Sequence, residues 1–578
     1  MKVYRTDEIR NVVLLGHGGC GKTSLAEAML YVSGTTNRMG KVSDSNTVSD
    51  FDKEEQKRGF SIGTTLIPIE WEKAKINILD TPGYFDFVGE VEEAVSAADA
   101  AVIVVSGKAG VQVGTEKAWE ICEKYDLPRM IYVTEMDVDD ASFRQVVEDL
   151  TERYGKKIAP HFQPIRENEK LVGYINVIKN AGRRYTGIGQ REECEIPDYC
   201  LPNLQILRDS LMEAVAETSE DLMERYFAGE EFSVEEIRSA MRTEVMEGDI
   251  VPVAMGANPQ AQGVANLLSD IVRFFPSPDK RKCAGLNRVT NKIFEADFDF
   301  SKAKTAYVFK TMVDPFIGKY SFVKVCSGVL KGDDVLYNAD TDAEEKPGKL
   351  FTMCGNKPTE VEELFAGDIG AMAKLSNTRT GDTLSSKGTP VSYARTEYSV
   401  PYTYMKYIVK TKGDEDKVSQ ALARMMAEDV TLKAVNDSEN RQSLLYGMGD
   451  QHLEVMASKL AARYKVEINL EMPKVAFRET IRKKSDVDTK YKKQSGGHGQ
   501  YGHVKMRFEP SGDLETPYVF EEEVVGGAVP KNYFPAVEKG LQDSVVKGPL
   551  AGYPVVGVKA ILYDGSYHPV DSSEMAFK

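Results

Sequence analysis

Eight residues, Gly16-His17-Gly18-Gly19-Cys20-Gly21-Lys22-Thr23, constrain this chain more than any other segment. They follow a short apolar run, Asn11 to Leu15 (NVVLL), and lead into Lys22 to Tyr31 (KTSLAEAMLY), where apolar residues recur at helical spacing. The unit reads strand, loop, helix, and the loop has the pattern GxxxxGK[ST]. Small residues let the backbone curl so that successive N–H groups, with the helix N-terminus behind them, face phosphate oxygens. In such a loop Lys22 reaches the β- and γ-phosphates of a nucleotide and the Thr23 hydroxyl coordinates Mg2+. The flanking strand and helix separate this reading from a chance match in a glycine-rich turn.

Further along, Ile76 to Leu79 (INIL) predicts a second buried strand, and Asp80-Thr81-Pro82-Gly83 follows it. There Asp80 can hold the Mg2+ shell and the Gly83 N–H can meet the γ-phosphate. Ala101 to Val105 predicts a third strand, Thr115 to Tyr125 a helix and Arg129 to Val133 a fourth strand. Strands alternating with helices imply a parallel sheet covered on both faces. With the phosphate loop, this makes the first part of the chain a P-loop NTPase. From about Pro164 to Val251 the texture changes to short strands (LVGYINVI) and an acidic helical stretch, Leu204 to Tyr226. That reads as an insertion, with the sheet resuming at Val251 to Ala254. FFPSPDK (Phe274 to Lys280) reads as a linker. Ala306 to Leu384, with many short alternating strands between turns, suggests a β-barrel. Tyr398 onward predicts a small α+β domain with helices over Asp416 to Asp429 and Gln451 to Tyr464. Another α+β domain starts near Val475.

Length and composition fit this division. A chain of 578 residues exceeds one core and implies three to five domains. Apolar content of 42% and charged content of 28% are ordinary for a packed protein, and no apolar run of about 18 residues occurs. The start lacks the features of a signal peptide. Seven scattered cysteines without a CxxC pair read as reduced thiols in the cytosol. A net charge of −16 argues against non-specific nucleic-acid binding, although the local field counts for more than the total. Between Arg478 and Lys505 lie Arg478, Arg482, Lys483, Lys484, Lys490, Lys492, Lys493 and Lys505, opposed only by Glu479, Asp486 and Asp488. By itself that stretch reads as a solvated strand face.

The phosphate loop, RGFSI (Arg58 to Ile62), DTPGY, AGVQVGTE (Ala109 to Glu116) and the domain order resemble elongation factor G. So do DPFIGKYSFVKVCSG, EELFAGDIG, GMGDQHLEV (Gly447 to Val455), FRETI, QSGGHGQYGHV (Gln494 to Val504) and GSYHPVDSSEMAFK. The likeness spans essentially the whole chain. It implies a multidomain α/β protein: a P-loop NTPase G domain with an inserted subdomain, then a β-barrel, a ferredoxin-like α+β domain and a further α+β domain. The expected boundaries are 1–284 (insertion about 160–250), 285–397, 398–474 and 475–578. The fourth domain is expected to be incomplete at Lys578 and the fifth absent. The resemblance further implies a monomeric cytoplasmic GTPase with GTP or GDP and Mg2+, stimulated by the ribosome, without a membrane partner. Its hydrolysis accompanies movement of tRNA and mRNA or ribosome recycling.

On this resemblance the nucleotide is held by Gly16, His17, Gly18, Gly19, Cys20, Gly21, Lys22, Thr23, Ser24, Asp80, Thr134, Asp137, Gly256 and Ala257. Mg2+ falls to Thr23, Ser61 and Asp80, and catalysis to Tyr84, Lys22 and Gly83. Two loop tips, Ser495 to Tyr501 and Gly565 to Val570, face RNA in the decoding region. There His498, Gln500 and His568 can hydrogen-bond or stack.

The departures from the family cluster at the nucleotide. Tyr84 stands where a histidine orients the attacking water, and a phenol is a poor base at neutral pH. Gly19 replaces an acidic residue, and Ser61 replaces the switch threonine while keeping a hydroxyl. The guanine-reading motif Asn-Lys-x-Asp becomes Thr134-Glu135-Met136-Asp137. Asp137 can still accept from the base, but Thr134 loses an amide and Glu135 replaces a cation with an anion. Gly256-Ala257-Asn258 stands for Gly-Ser-Ala, and His498 stands where an arginine is usual. Tyr84 and Thr134 match a divergent paralogue subgroup. Two rival readings stand beside the GTPase: a ribosome-binding protein with weak or no hydrolysis, and a tetracycline-type ribosomal protection factor.

Overall fold

The computed structural model describes residues 2–168, 170–314, 318–494 and 496–578. Part of the DPFIG turn and Ser495, the first residue of one predicted RNA-facing tip, lie outside the described residues. The chain divides into two units, 1–436 with 443–472 and 437–442 with 473–578.

The first unit opens on β1 (Ile9–Leu15), the phosphate loop and α1 (Lys22–Val32). A short helix, α2 (Lys53–Arg58), precedes β2 (Thr65–Trp71) and β3 (Ala74–Asp80). Then come α3 (Val88–Ala97), β4 (Ala100–Ser106), α4 (Val113–Lys124), β5 (Arg129–Thr134), α5 (Phe143–Tyr154) and β6 (Ile158–Pro160). The insertion supplies β7 (Phe162–Glu167), β8 (Lys170–Asn176), β9 (Ala181–Gly187) and β10 (Gln190–Cys194) as a four-stranded antiparallel sheet. It continues with α6 (Leu201–Ala216), α7 (Glu220–Phe227) and α8 (Val234–Glu247). The main sheet resumes with β11 (Val251–Met255), followed by α9 (Val264–Phe274).

Its strand order is β2-β3-β1-β4-β5-β11-β6. Pairing is parallel from β3 to β6, with Val12 facing both Ile78 and Ala100. β4 is buried along its whole length, as a strand covered on both faces must be. One expectation needs correction. The sheet is not wholly parallel, because β2 runs antiparallel to β3 through a two-residue turn in which Glu72 and Lys73 both have positive φ (44° and 69°). That turn matches the twist of adjacent antiparallel strands. The acidic stretch over Leu204 to Tyr226 is helical, divided between α6 and α7 where Ser219 caps α7 by accepting from Leu222 N.

Beyond α9 an eight-stranded antiparallel sheet carries Thr305–Asp314 and Gly318–Ser327 at its centre, around a core that includes Val308, Val323, Val325 and Leu384. A four-stranded sheet follows, with helices Glu415–Glu428 and Asp450–Tyr464 in the order strand, helix, two strands, helix, strand. The second unit is a four-stranded sheet built on Gln500–Pro510 and Val558–Ser566, with helix Phe534–Val545 over a core of Met506, Val537, Ala560 and Leu562. All seven cysteines are free thiols, and among the described residues no helix is long and apolar enough to cross a membrane.

Candidate nucleotide-binding site

The loop after β1 lies at the C-terminal end of a central strand flanked by β3 and β4, where open parallel sheets leave a crevice. Its turn needs glycine at Gly16, where a Cβ would lie 2.4 Å from the Val104 carbonyl oxygen. Gly19 and Gly21 have φ of +84° and +91°. Lys22 is almost buried, and its Nζ donates to the carbonyls of Gly16 and His17, each at 2.9 Å. His17 accepts from Gly114 N through Nδ1 at 3.2 Å, which ties the loop to the start of α4. Ser24 is half-buried on the first turn of α1.

Four oxygen-bearing side chains meet beside Thr23. Its hydroxyl shares a hydrogen bond with Ser61 Oγ at 2.9 Å, and Ser61 Oγ donates to Asp50 Oδ1 at 2.8 Å. Asp80, fully buried, accepts from Ser49 Oγ at 2.6 Å. Burial and the neighbouring Asp80 charge push the Asp50 carboxyl up to about 6. Burial also raises Asp80, opposed by the hydroxyls of Ser49 and Thr23 and by Lys22. Asp50 Oδ2 and Asp80 Oδ1 are buried without a hydrogen-bond partner. Two close carboxylates, each with an unsatisfied oxygen, beside two hydroxyls form the hard-oxygen donor set that suits Mg2+. Thr23, Ser61 and Asp80 lie together in this cluster. Asp50 is a fourth member that sequence reasoning missed; it lies 11 residues before Ser61, in no motif that spacing alone would mark.

Tyr84 sits directly over the phosphate loop. A Cβ on Gly18 would lie 3.4 Å from the Tyr84 ring, and the Phe60 ring packs on Tyr84 with centroids 4.6 Å apart. Gly83 is equally close: its Cβ would meet Lys22 Nζ at 2.6 Å and Gly18 N at 2.7 Å, so only glycine fits. The turn holding Tyr84 is anchored from another module. Helix Asp450–Tyr464 begins at Gly449, which has no capping side chain, and Asp86 Oδ1 accepts from its His452 N at 3.2 Å. Phe87 is buried in the same cluster as Leu453. The other switch segment docks on that helix too, with Ser458 Oγ donating to Glu54 Oε1 at 2.6 Å and Arg463 paired with Asp52.

The loops expected to read the base follow β5 and β11. Thr134 is fully buried and points back at the phosphate loop. Glu135 has φ +58° and its carboxylate accepts from Ser106 Oγ. Met136 is buried, and its N–H donates to Gly256 O at 3.2 Å, leaving Asp137 exposed at the rim. Gly256 admits no side chain, since a Cβ would lie 2.0 Å from Tyr132 Oη. Ala257 is buried behind it.

In the second unit the tip residues 496–501 and 567–572 lie side by side. Asp571 stitches them, accepting from Gly499 N through Oδ1 at 2.9 Å and from Tyr501 N through its carbonyl at 2.8 Å. His568 Nδ1 lies 3.1 Å from Asp571 N and 3.2 Å from Asp571 Oδ2, which ties the ring to the same loop. His498 and Gln500 are exposed. Lys490, Lys492 and Lys493 lie on the fully exposed edge strand Ser485–Lys493, whereas Lys484 and Lys505 are paired with Glu509 and Asp564.

Comparison with known proteins identifies the family. Residues 7–277 match the model of the elongation factor Tu GTP-binding domain. Residues 303–387, 400–472 and 473–578 match elongation factor G domain 2, domain III and domain IV. A crystal structure of a protein from Thermus thermophilus superposes with a TM-score of 0.84 at 37% identity, over 99% of this chain and 83% of that one. The first part is thus a GTP-binding domain of the translation-factor type. The chain as a whole belongs to the elongation factor G family of translational GTPases.

Proposed function

We propose that this protein binds GTP and GDP with Mg2+ at Gly16 to Thr23 and couples ribosome-stimulated hydrolysis to tRNA–mRNA movement or ribosome recycling. The observation that carries the reading is Tyr84, held over Gly18 by Phe60 on one side and by a turn anchored through Asp86 on the other, next to Gly83, which lies against Lys22. Lys22 offers its ammonium to the β- and γ-phosphates, and the Tyr84 hydroxyl orients the attacking water. Thr23, Ser61 and Asp80, with Asp50 behind, would hold Mg2+, which when bound neutralises charge on the transferring phosphoryl group. His498, Gln500 and His568 meet the decoding-region RNA. The domain limits we assign are 1–284, 285–397, 398–474 and 475–578. A second reading, binding without turnover, draws on Tyr84 itself, because a phenol positions water less well than an imidazole. Measuring GTP hydrolysis with and without ribosomes tests the choice; ribosome-dependent turnover supports the first reading and its absence the second.

Two predictions arise here. Asp50→Asn is expected to raise the Mg2+ concentration needed for half-maximal nucleotide binding about tenfold, by removing one of two charges from the cation pocket. A titration indistinguishable from wild type would take Asp50 out of that pocket. Glu135→Lys is expected to tighten GTP binding by removing an anion from the base loop, with GTP still preferred over ATP through Asp137. Equal competition by ATP, or no effect of the substitution, would refute this account of the base pocket.

A further inference from the structure

Two departures from the family pattern, at positions 134 and 258, meet at one glycine. The Thr134 hydroxyl lies 2.7 Å from the Cys20 carbonyl and 3.2 Å from that of Val105. A hydroxyl has a single proton, so Thr134 has none to give to Gly21. The Gly21 carbonyl instead accepts from Asn258 Nδ2 at 3.1 Å and from Leu25 N at 2.9 Å. Asn258 lies 237 residues away in sequence and is 4% exposed. Gly21 sits between the two side chains: a Cβ there would lie 3.3 Å from Asn258 Nδ2 and 3.6 Å from Thr134 Oγ1.

We propose that Asn258 is a positioning residue for nucleotide binding, which together with Thr134 forms a split clamp on the phosphate loop. The peptide plane supplies the mechanism. In a trans peptide the C=O and the following N–H point in opposite directions, so holding one aims the other. Thr134 holds the Cys20 carbonyl and thereby aims the Gly21 N–H. Asn258 holds the Gly21 carbonyl and aims the Lys22 N–H away from the helix, into the anion nest. The single hydroxyl proton of Thr134 is taken up by the carbonyls of Cys20 and Val105, and the amide at 258 takes that of Gly21. Asn258 Oδ1 is buried without a partner, a cost that a residue kept for packing alone would not carry.

The inference rests on nucleotide binding at this loop. Calorimetry of GDP binding with Mg2+ tests it in four proteins: wild type, Asn258→Ala, Thr134→Asn and the double variant. Asn258→Ala is expected to weaken GDP about tenfold, the loss of one hydrogen bond that aims a phosphate-binding amide. Thr134→Asn in that background is expected to restore most of the loss, because an amide at the end of β5 again reaches the loop. Thr134→Asn alone is expected to bring no gain. Wild-type affinity in Asn258→Ala, or a loss that Thr134→Asn leaves unrepaired, overturns the clamp while nucleotide binding stands. A wild-type protein that binds no GDP overturns the underlying reading and the clamp together.

Discussion

Lys22→Ala is expected to weaken GTP and GDP binding at least a hundredfold, the largest single effect at this site. In the structure the ammonium is buried and bonds two loop carbonyls, Gly16 and His17, at 2.9 Å; its third proton has only a long 3.8 Å contact with Cys20 Sγ, a weak acceptor that a phosphate oxygen outcompetes. Removing it takes away the cation and leaves two carbonyl dipoles facing an anion. Breaking a buried charge pair in this way costs about 3–5 kcal/mol, which is roughly two to nearly four orders of magnitude in affinity. Lys22→Arg is not expected to rescue, because Gly83 closes over Nζ and leaves no room for a guanidinium. Calorimetry measures the change directly. Binding within threefold of wild type in Lys22→Ala would move the nucleotide away from this loop.

Tyr84→Phe is expected to lower ribosome-stimulated GTP hydrolysis about tenfold or more while leaving nucleotide affinity near wild type. Phenylalanine keeps the ring contacts with Phe60 and Gly18, so the comparison isolates the hydroxyl. That hydroxyl can orient water, and phosphoryl transfer depends on positioning and charge stabilisation more than on a strong base. Tyr84→His is expected to raise the rate, because an imidazole both orients water and titrates near neutrality. Single-turnover hydrolysis with and without ribosomes separates these outcomes from changes in binding. Equal rates for the tyrosine, phenylalanine and histidine proteins would show that residue 84 takes no part in hydrolysis. No ribosome-dependent hydrolysis from any of them would leave a factor that binds without turnover.

The anchoring of Tyr84 also gives the switch segments a mechanical context. Asp86 caps a helix whose own N-cap position is glycine, and Asp52 and Glu54 meet Arg463 and Ser458 on that helix. Carboxylate capping of a helix N-terminus stabilises by about 0.5–2 kcal/mol, so rearranging either switch carries a cost in the neighbouring module.

The sequence by itself determined the phosphate loop, the DTPG turn after β3 and most strands and helices of the modules. Each of these is written in a short contiguous stretch: eight residues for the loop, period-3.6 or continuous apolar runs for the elements. It also marked positions 84, 134, 135 and 258 as departures. Only the tertiary structure decided what they meet. Asn258 reaches Gly21 across 237 residues, and Asp86 reaches His452 across 366. Asp50 joins Asp80 because the segment before α2 folds back over Thr23, a path that no periodicity encodes. The antiparallel β2 likewise depended on a turn with two positive φ angles at Glu72 and Lys73, residues that carry no turn signal of their own. Local hydrogen-bond geometry is fixed by neighbours in the chain and is legible there, whereas the partners of a buried side chain are fixed by packing and become visible only in the folded molecule.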